Sequence, residues 1–379
     1  MKKSFAIITI AGLFLASCQP SDKQQLNLVD ATPFQTQIDG KPVDLYTLQN
    51  QNGMAMQVTN FGGHVVSLFA PDKNGIMEDV VLGHSTLDEY VNPAGERFIG
   101  CVVGRYANRI ANGQFTLNGK TYNLPINNNG QSLHGGLKGL DLVVWDVDTV
   151  ANDMIRLSYL SPDGEEGYPG NLNVTMTYTL TDNNEFKIEY SATTDKPTVV
   201  NLSHHGFFNL KGEGKGTIND HILTINADSI TPVNEVLIPF GKHQAVEGTP
   251  FDFRNGNAIG ERVSTEGDEQ LTNGKGYDHN WVLNRKTDNE VELAVTLYEP
   301  QSGRMLEVLT NQPGVQFYGG NFFDGSGKGK NGATFNFREA LALETQKFPD
   351  SPNQPSFPTT VLNPGETYNH ICIYRFSTK

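Results

Sequence analysis

From about residue 30 onward, apolar residues return every second position rather than every 3.6. Leu172, Val174, Met176, Tyr178 and Leu180 alternate with polar neighbours, Asp182 to Asn184 supply a turn, and Phe186, Ile188, Tyr190 and Ala192 resume the alternation. Such a pair reads as an antiparallel hairpin with one buried face. The stretch from Phe115 to Tyr122 repeats it around Asn118 and Gly119, a dipeptide suited to a type I′ turn. Val291, Leu293, Val295 and Leu297 form another strand, followed past Ser302 and Gly303 by Leu306 and Val308. Helical signals are short: Ser85 to Tyr90, with Ser85 as the cap and Asp88 at the third helical position, and Ala258 to Val263. No heptad, solenoid repeat or low-complexity linker interrupts the pattern. The pattern predicts an all-β fold over residues 30–379, one large antiparallel β-sandwich with a few short helices.

The N-terminus reads differently. Lys2 and Lys3 precede an apolar run from Phe5 to Leu15, too short to span a bilayer and laid out as a secretory signal. The run ends in Leu15, Ala16, Ser17 and Cys18, which resembles the bacterial lipobox. Residues 1–17 are therefore expected to be a lipoprotein signal peptide, with Cys18 lipidated and residues 18–29 a flexible tether. An ordinary cleaved signal beside a stray cysteine is the rival reading. Gln19 resembles the residue found in lipoproteins sent to the outer membrane, which places the expected location in the cell envelope, on its periplasmic or surface side.

Composition narrows the partners. Charged residues make up 18% of the chain, and the 42 acidic residues against 28 basic give a net charge of -14. That balance repels nucleic acid and anionic lipid, so membrane contact is expected only through the anchor at Cys18. Cys101 and Cys372 sit in apolar strand-like runs and read as small buried hydrophobes rather than a disulfide.

Several polar clusters break otherwise apolar strands. They are Asn108 and Arg109 in GRYANRI, His134 in LHGG, the pair His204 and His205 in NLSHHGFFNL, Asp278 and His279 in YDHNW, Gln316 in GVQFYGGNFFDG, and Glu344 in LALETQKFPD. A metal site at the histidine pair and simple packing are both open on spacing alone. The inventory contains amides, imidazoles, carboxylates and one guanidinium, without a serine or cysteine nucleophile motif or a phosphate-cradling loop. It suits a neutral polyhydroxylated ligand, whose hydroxyls each want a donor and an acceptor.

Taken in order, these motifs resemble the aldose 1-epimerase (galactose mutarotase) family. The resemblance is strengthened by SPDGEEGYPG at Ser161 to Gly170, by TPVNEVLIP and by GTPFDFR, and it runs from about residue 30 to the C-terminus. It implies the family's β-supersandwich and the interconversion of α and β anomers of free aldohexoses such as galactose or glucose. It also implies that Glu344 is the general base, His205 the general acid and His134 an assisting imidazole. Asn108, Arg109, Asp278 and Gln316 become sugar-binding residues. No cofactor or metal is expected, and monomer and dimer both stay open. The requirement for an ionised Glu344 and a protonated His205 predicts a bell-shaped rate profile, with the charge of Asp278 helping to keep His205 protonated. His204 departs from the small or amide residue usual in the family and reads as packing, as does His279. Trp145 reads as core, whereas Trp281 beside Asp278 is a candidate for stacking on a sugar face. A non-catalytic sugar-binding lipoprotein on the same scaffold is the alternative function, and the presence of both an acid and a base argues against it.

Overall fold

The computed structural model describes residues 24–379. The expected signal peptide of residues 1–17 and the expected lipidation site at Cys18 lie outside the described residues. Strand after strand pairs antiparallel, as the period-two pattern requires. The hairpin of Leu172–Thr181 with Glu185–Thr194 lies in a nine-stranded sheet. On one side that sheet continues through Tyr368–Thr378, Arg304–Thr310 and Glu292–Tyr298. A six-stranded sheet runs in the order Phe207–Phe208, Leu341–Gln346, Gly314–Tyr318, Asp278–Leu283, Ala227–Thr231 and Gln244–Ala245. Leu45–Gln49 begins a further four-stranded sheet.

The sheets share one core. Met176, Tyr178, Phe186 and Ile188 of the large sheet join Trp281, Val315, Phe317 and Leu343 of the six-stranded sheet in a single buried apolar cluster. Alternation explains the membership: on the three central strands of the smaller sheet, odd-numbered residues face this core and even-numbered residues face away from it. Trp281 is therefore a core side chain, fully buried against Phe251 and Phe317, and not a stacking platform for a sugar. Trp145 is core as expected, and Cys101 and Cys372 are buried free thiols.

Departures from the expected elements have local causes. The turn at Asn118 and Gly119 takes positive φ at both residues, as a type I′ turn demands. The first helix spans Leu87–Val91 and is capped by Thr86, one residue later than predicted, because Glu89 reaches back to the backbone of Thr86. A bulge between Leu293 and Val295 turns Ala294 inward and leaves Leu293 exposed. The helix Glu269–Gly274, capped by Asp268, was not anticipated. Residues 24–29, expected to be the end of a free tether, are fastened to the body. The Gln24 amide exchanges two hydrogen bonds with the backbone of Met77, and the Gln57 amide does the same with Val29.

Candidate active site

Neighbouring strands of the six-stranded sheet bring three of the expected residues to one face. Gln316 lies directly across from Glu344, and Asp278 across from Tyr318. The Gln316 amide donates to Asp278 Oδ1 at 2.7 Å, which orients the carboxylate and leaves its other oxygen for a ligand.

Two loops close the pocket from the other side. A short bridge pairs Arg109 with Leu133, setting His134 next to Asn108. Both residues adopt positive φ, 65° for Asn108 and 51° for His134. This left-handed backbone lets each close on the other: His134 N–H donates to Asn108 O at 3.0 Å, and Asn108 N–H donates to His134 Nδ1 at 3.1 Å. Nδ1 is thus an acceptor, so a neutral His134 carries its proton on Nε2.

His205 enters from the strand end before Phe207, its N–H bonded to Cys101 O and its carbonyl accepting from Gly100 N–H. Its ring meets His134 edge-on at 5.2 Å, and its Nε2 stands 3.6 Å from Glu344 Oε1. Glu344 is 2% exposed and His205 4%. All seven expected site residues among the described residues are buried, and six of them line a cavity of about 300 Å³. Gln316 acts from behind, through Asp278. The volume lies at the small end of ligand pockets, the size a single sugar ring requires. A wider trough of about 1230 Å³ over the outer face of the large sheet has no such acid and base pair.

Burial governs the titration of the pair. It raises the Glu344 carboxyl well above its usual range, helped by the negative charges of Asp278 and Glu96 and opposed by Arg109. Burial pushes His205 down to about 4. Asp278 bears on Glu344 and Arg109. The expected help from Asp278 in holding the proton on His205 is not found, since burial dominates that ring.

His134, His205 and Glu344 place one donor atom each within 4.8 Å of one another, the outline of a metal centre. The tautomer of His134 spoils it, because Nε2 bears the proton and Nδ1 is taken by Asn108 N–H.

His204 packs its ring against Tyr178, Phe186 and Tyr374 in the core. It turns away from His205, as strand neighbours do. Its room comes from Gly206, where a Cβ would fall 2.7 Å from His204 Cε1. His279 is fully buried against Phe251. One carboxylate at the pocket, Glu96, was not among the sequence candidates. It stands in GERF, a polar stretch that reads as surface, and only the fold brings it to Arg109.

Comparison with known proteins agrees with this geometry. Residues 44–375 match the family described as aldose 1-epimerase. Galactose mutarotase from Mus musculus is 45% identical over 338 residues, covering 89% of this chain and 95% of that protein. Aldose 1-epimerase from Escherichia coli is 37% identical over 340 residues, covering 89% and 96%. Among solved structures, the aldose epimerase homologue from C. elegans superposes with a TM-score of 0.82 at 33% identity, covering 89% of this chain and 99% of that one.

Proposed function

The chain belongs to the aldose 1-epimerase family and interconverts the anomers of aldoses, and from that premise we propose that Glu344 and His205 carry the proton transfers, with galactose as a substrate. The observation that supports this most directly is the 3.6 Å approach of the two groups at the floor of a sugar-sized cavity.

In the proposed cycle Glu344, ionised, takes the proton from the anomeric hydroxyl. The electrons of that O–H bond form the C1 carbonyl, the bond from C1 to the ring oxygen breaks, and its electron pair takes the proton from His205 Nε2. The open aldehyde rotates about the C1–C2 bond. Reversal of the two transfers closes the ring on the other face. Each positioned proton carrier contributes about 10²- to 10⁴-fold. The Nε2–H of His134 supports the developing charge on an oxygen, while Arg109, Asn108 and Asp278 hold the hydroxyls.

Polarimetry across galactose, glucose, xylose and arabinose tests the assignment. Saturable acceleration with galactose is expected, and binding of galactose without acceleration would overturn it in favour of a sugar-binding role. We also propose that the protein is lipid-anchored at Cys18 in the cell envelope, on the strength of the LASC sequence after an apolar run. A Cys18→Ser variant is expected to lose the lipid mass on intact-protein spectrometry and to leave the membrane fraction. An unlipidated wild type would contradict the anchor.

A further inference from the structure

Glu96 is a carboxylate that the proton transfers leave unused. It lines the sugar pocket with Arg109, Asp278 and Glu344, and it also borders a wider outer groove of about 860 Å³ that carries the exposed side chains of Ile126, Leu137 and Phe322. It therefore stands where the pocket opens.

Its position is held by its neighbours. Arg97 grips the fully buried Asp141 with two bonds, Nε to Oδ2 at 2.6 Å and Nη2 to Oδ1 at 2.9 Å, and its Nη1 donates to Gly136 O. Phe98 sets its ring on edge against His134 at 4.5 Å. Between these two anchors, Glu96 Oε1 accepts the Phe98 N–H at 3.2 Å. That leaves Oε2 for a ligand. With Glu96 counted, three carboxylates surround the single guanidinium of Arg109, and the Asp278 charge raises the Glu96 carboxyl further after burial.

We propose that Glu96 is a specificity-determining residue: its free oxygen accepts a hydroxyl hydrogen bond from the aldose at the pocket mouth, and its charge excludes anionic aldoses such as uronic acids. The proposal rests on the anomer-interconverting function given above. A neutral sugar offers hydroxyl donors that a carboxylate accepts. A uronate would bring a fourth carboxylate beside Glu96 and Asp278 with only Arg109 to offset it, and like charges in a desolvated site are costly.

Two variants separate the parts, assayed by polarimetry at pH 8 so that the carboxylate is ionised. Glu96→Gln keeps the Phe98 bond through its amide oxygen, removes the charge and sets an amide NH2 where the free oxygen stood, a change that galactose and galacturonate meet alike. The ratio of kcat/KM for galacturonate to that for galactose is expected to rise about tenfold or more. Glu96→Ala removes the acceptor, and the KM for galactose is expected to rise about 3- to 10-fold with kcat within about twofold. An unchanged ratio in Glu96→Gln would overturn the exclusion, and an unchanged KM in Glu96→Ala would overturn the contact. A loss in kcat instead of KM would overturn the proposal too, because Glu96 would then act through the proton carriers. Failure of the underlying function would look different: the wild type itself would not accelerate galactose.

Discussion

With burial raising the Glu344 carboxyl and pushing His205 down to about 4, the pair is expected to hold one proton over a wide pH range. In the empty pocket, burial favours that proton on the carboxyl, whereas the cycle needs it on the imidazole; the two arrangements differ only in where one proton sits. Catalysis is then pH-independent between two limits that belong to the pair. Below about 4 a second proton arrives at His205, and above the raised Glu344 value the last proton leaves. The kcat/KM profile is therefore expected to be a broad plateau with its acid limb near 4. Asp278→Asn removes a charge that raises Glu344, so the alkaline limb should move to lower pH while the acid limb stays. A shift of the acid limb instead would mean that Asp278 acts on His205 after all. At this scale the residues that gather at the pocket were legible because polar residues in apolar strands are costly without a purpose, while the roles proposed for them came from the family resemblance. Glu96 was not, since nothing in a polar loop distinguishes a pocket carboxylate from a solvated one.

Elements explain why residues so far apart in the chain converge. Odd residues of Asp278–Leu283, Gly314–Tyr318 and Leu341–Gln346 build the core, which leaves the even ones, Asp278, Gln316 and Glu344, to share a face. That much follows from the period of two. Which strands adjoin does not, because register is set by pairing partners that lie tens of residues away. The loop carrying Asn108 and Arg109 depends on Arg105, whose guanidinium donates to the carbonyls of Ser161, Pro162, Pro169 and Gly170 and to Ser161 Oγ. The motifs GRYANRI and SPDGEEGYPG are thereby one unit. Arg105→Met is expected to cost at least about 3 kcal/mol in denaturant unfolding, because it strands several buried carbonyls at once. A cost below about 1 kcal/mol would show that water replaces the arginine. The bulge at Leu293 and the helix at Glu269 were not legible for a related reason: each is decided by contacts with its surroundings rather than by its own pattern.

For the whole molecule, buried neutral histidines link stability to pH. His204, His279 and His370 are each pushed down to about 3 by burial, and none lines the pocket. His370 is satisfied as a neutral ring, donating from Nδ1 to Leu202 O and accepting from Thr345 Oγ1 at Nε2. In the unfolded chain each takes up a proton near 6.5, whereas in the folded protein it does so only near 3. The unfolded state thus binds more protons between those values, and stability falls as pH falls from 6.5 towards 3. The slope is of order 4 kcal/mol per pH unit for the three together, with raised carboxyls such as Glu344 working in the opposite direction. Chemical denaturation at pH 7, 6 and 5 should show this decline, and a flat response would contradict it. The central claim is that a carboxylate and an imidazole 3.6 Å apart perform the anomer exchange. Its most direct test is the mutarotation rate of galactose by Glu344→Gln beside wild type, with folding checked by melting temperature. The expected result is a kcat lower by about 10² or more at a KM within a few fold. A folded Glu344→Gln whose kcat stays within tenfold of wild type would contradict it.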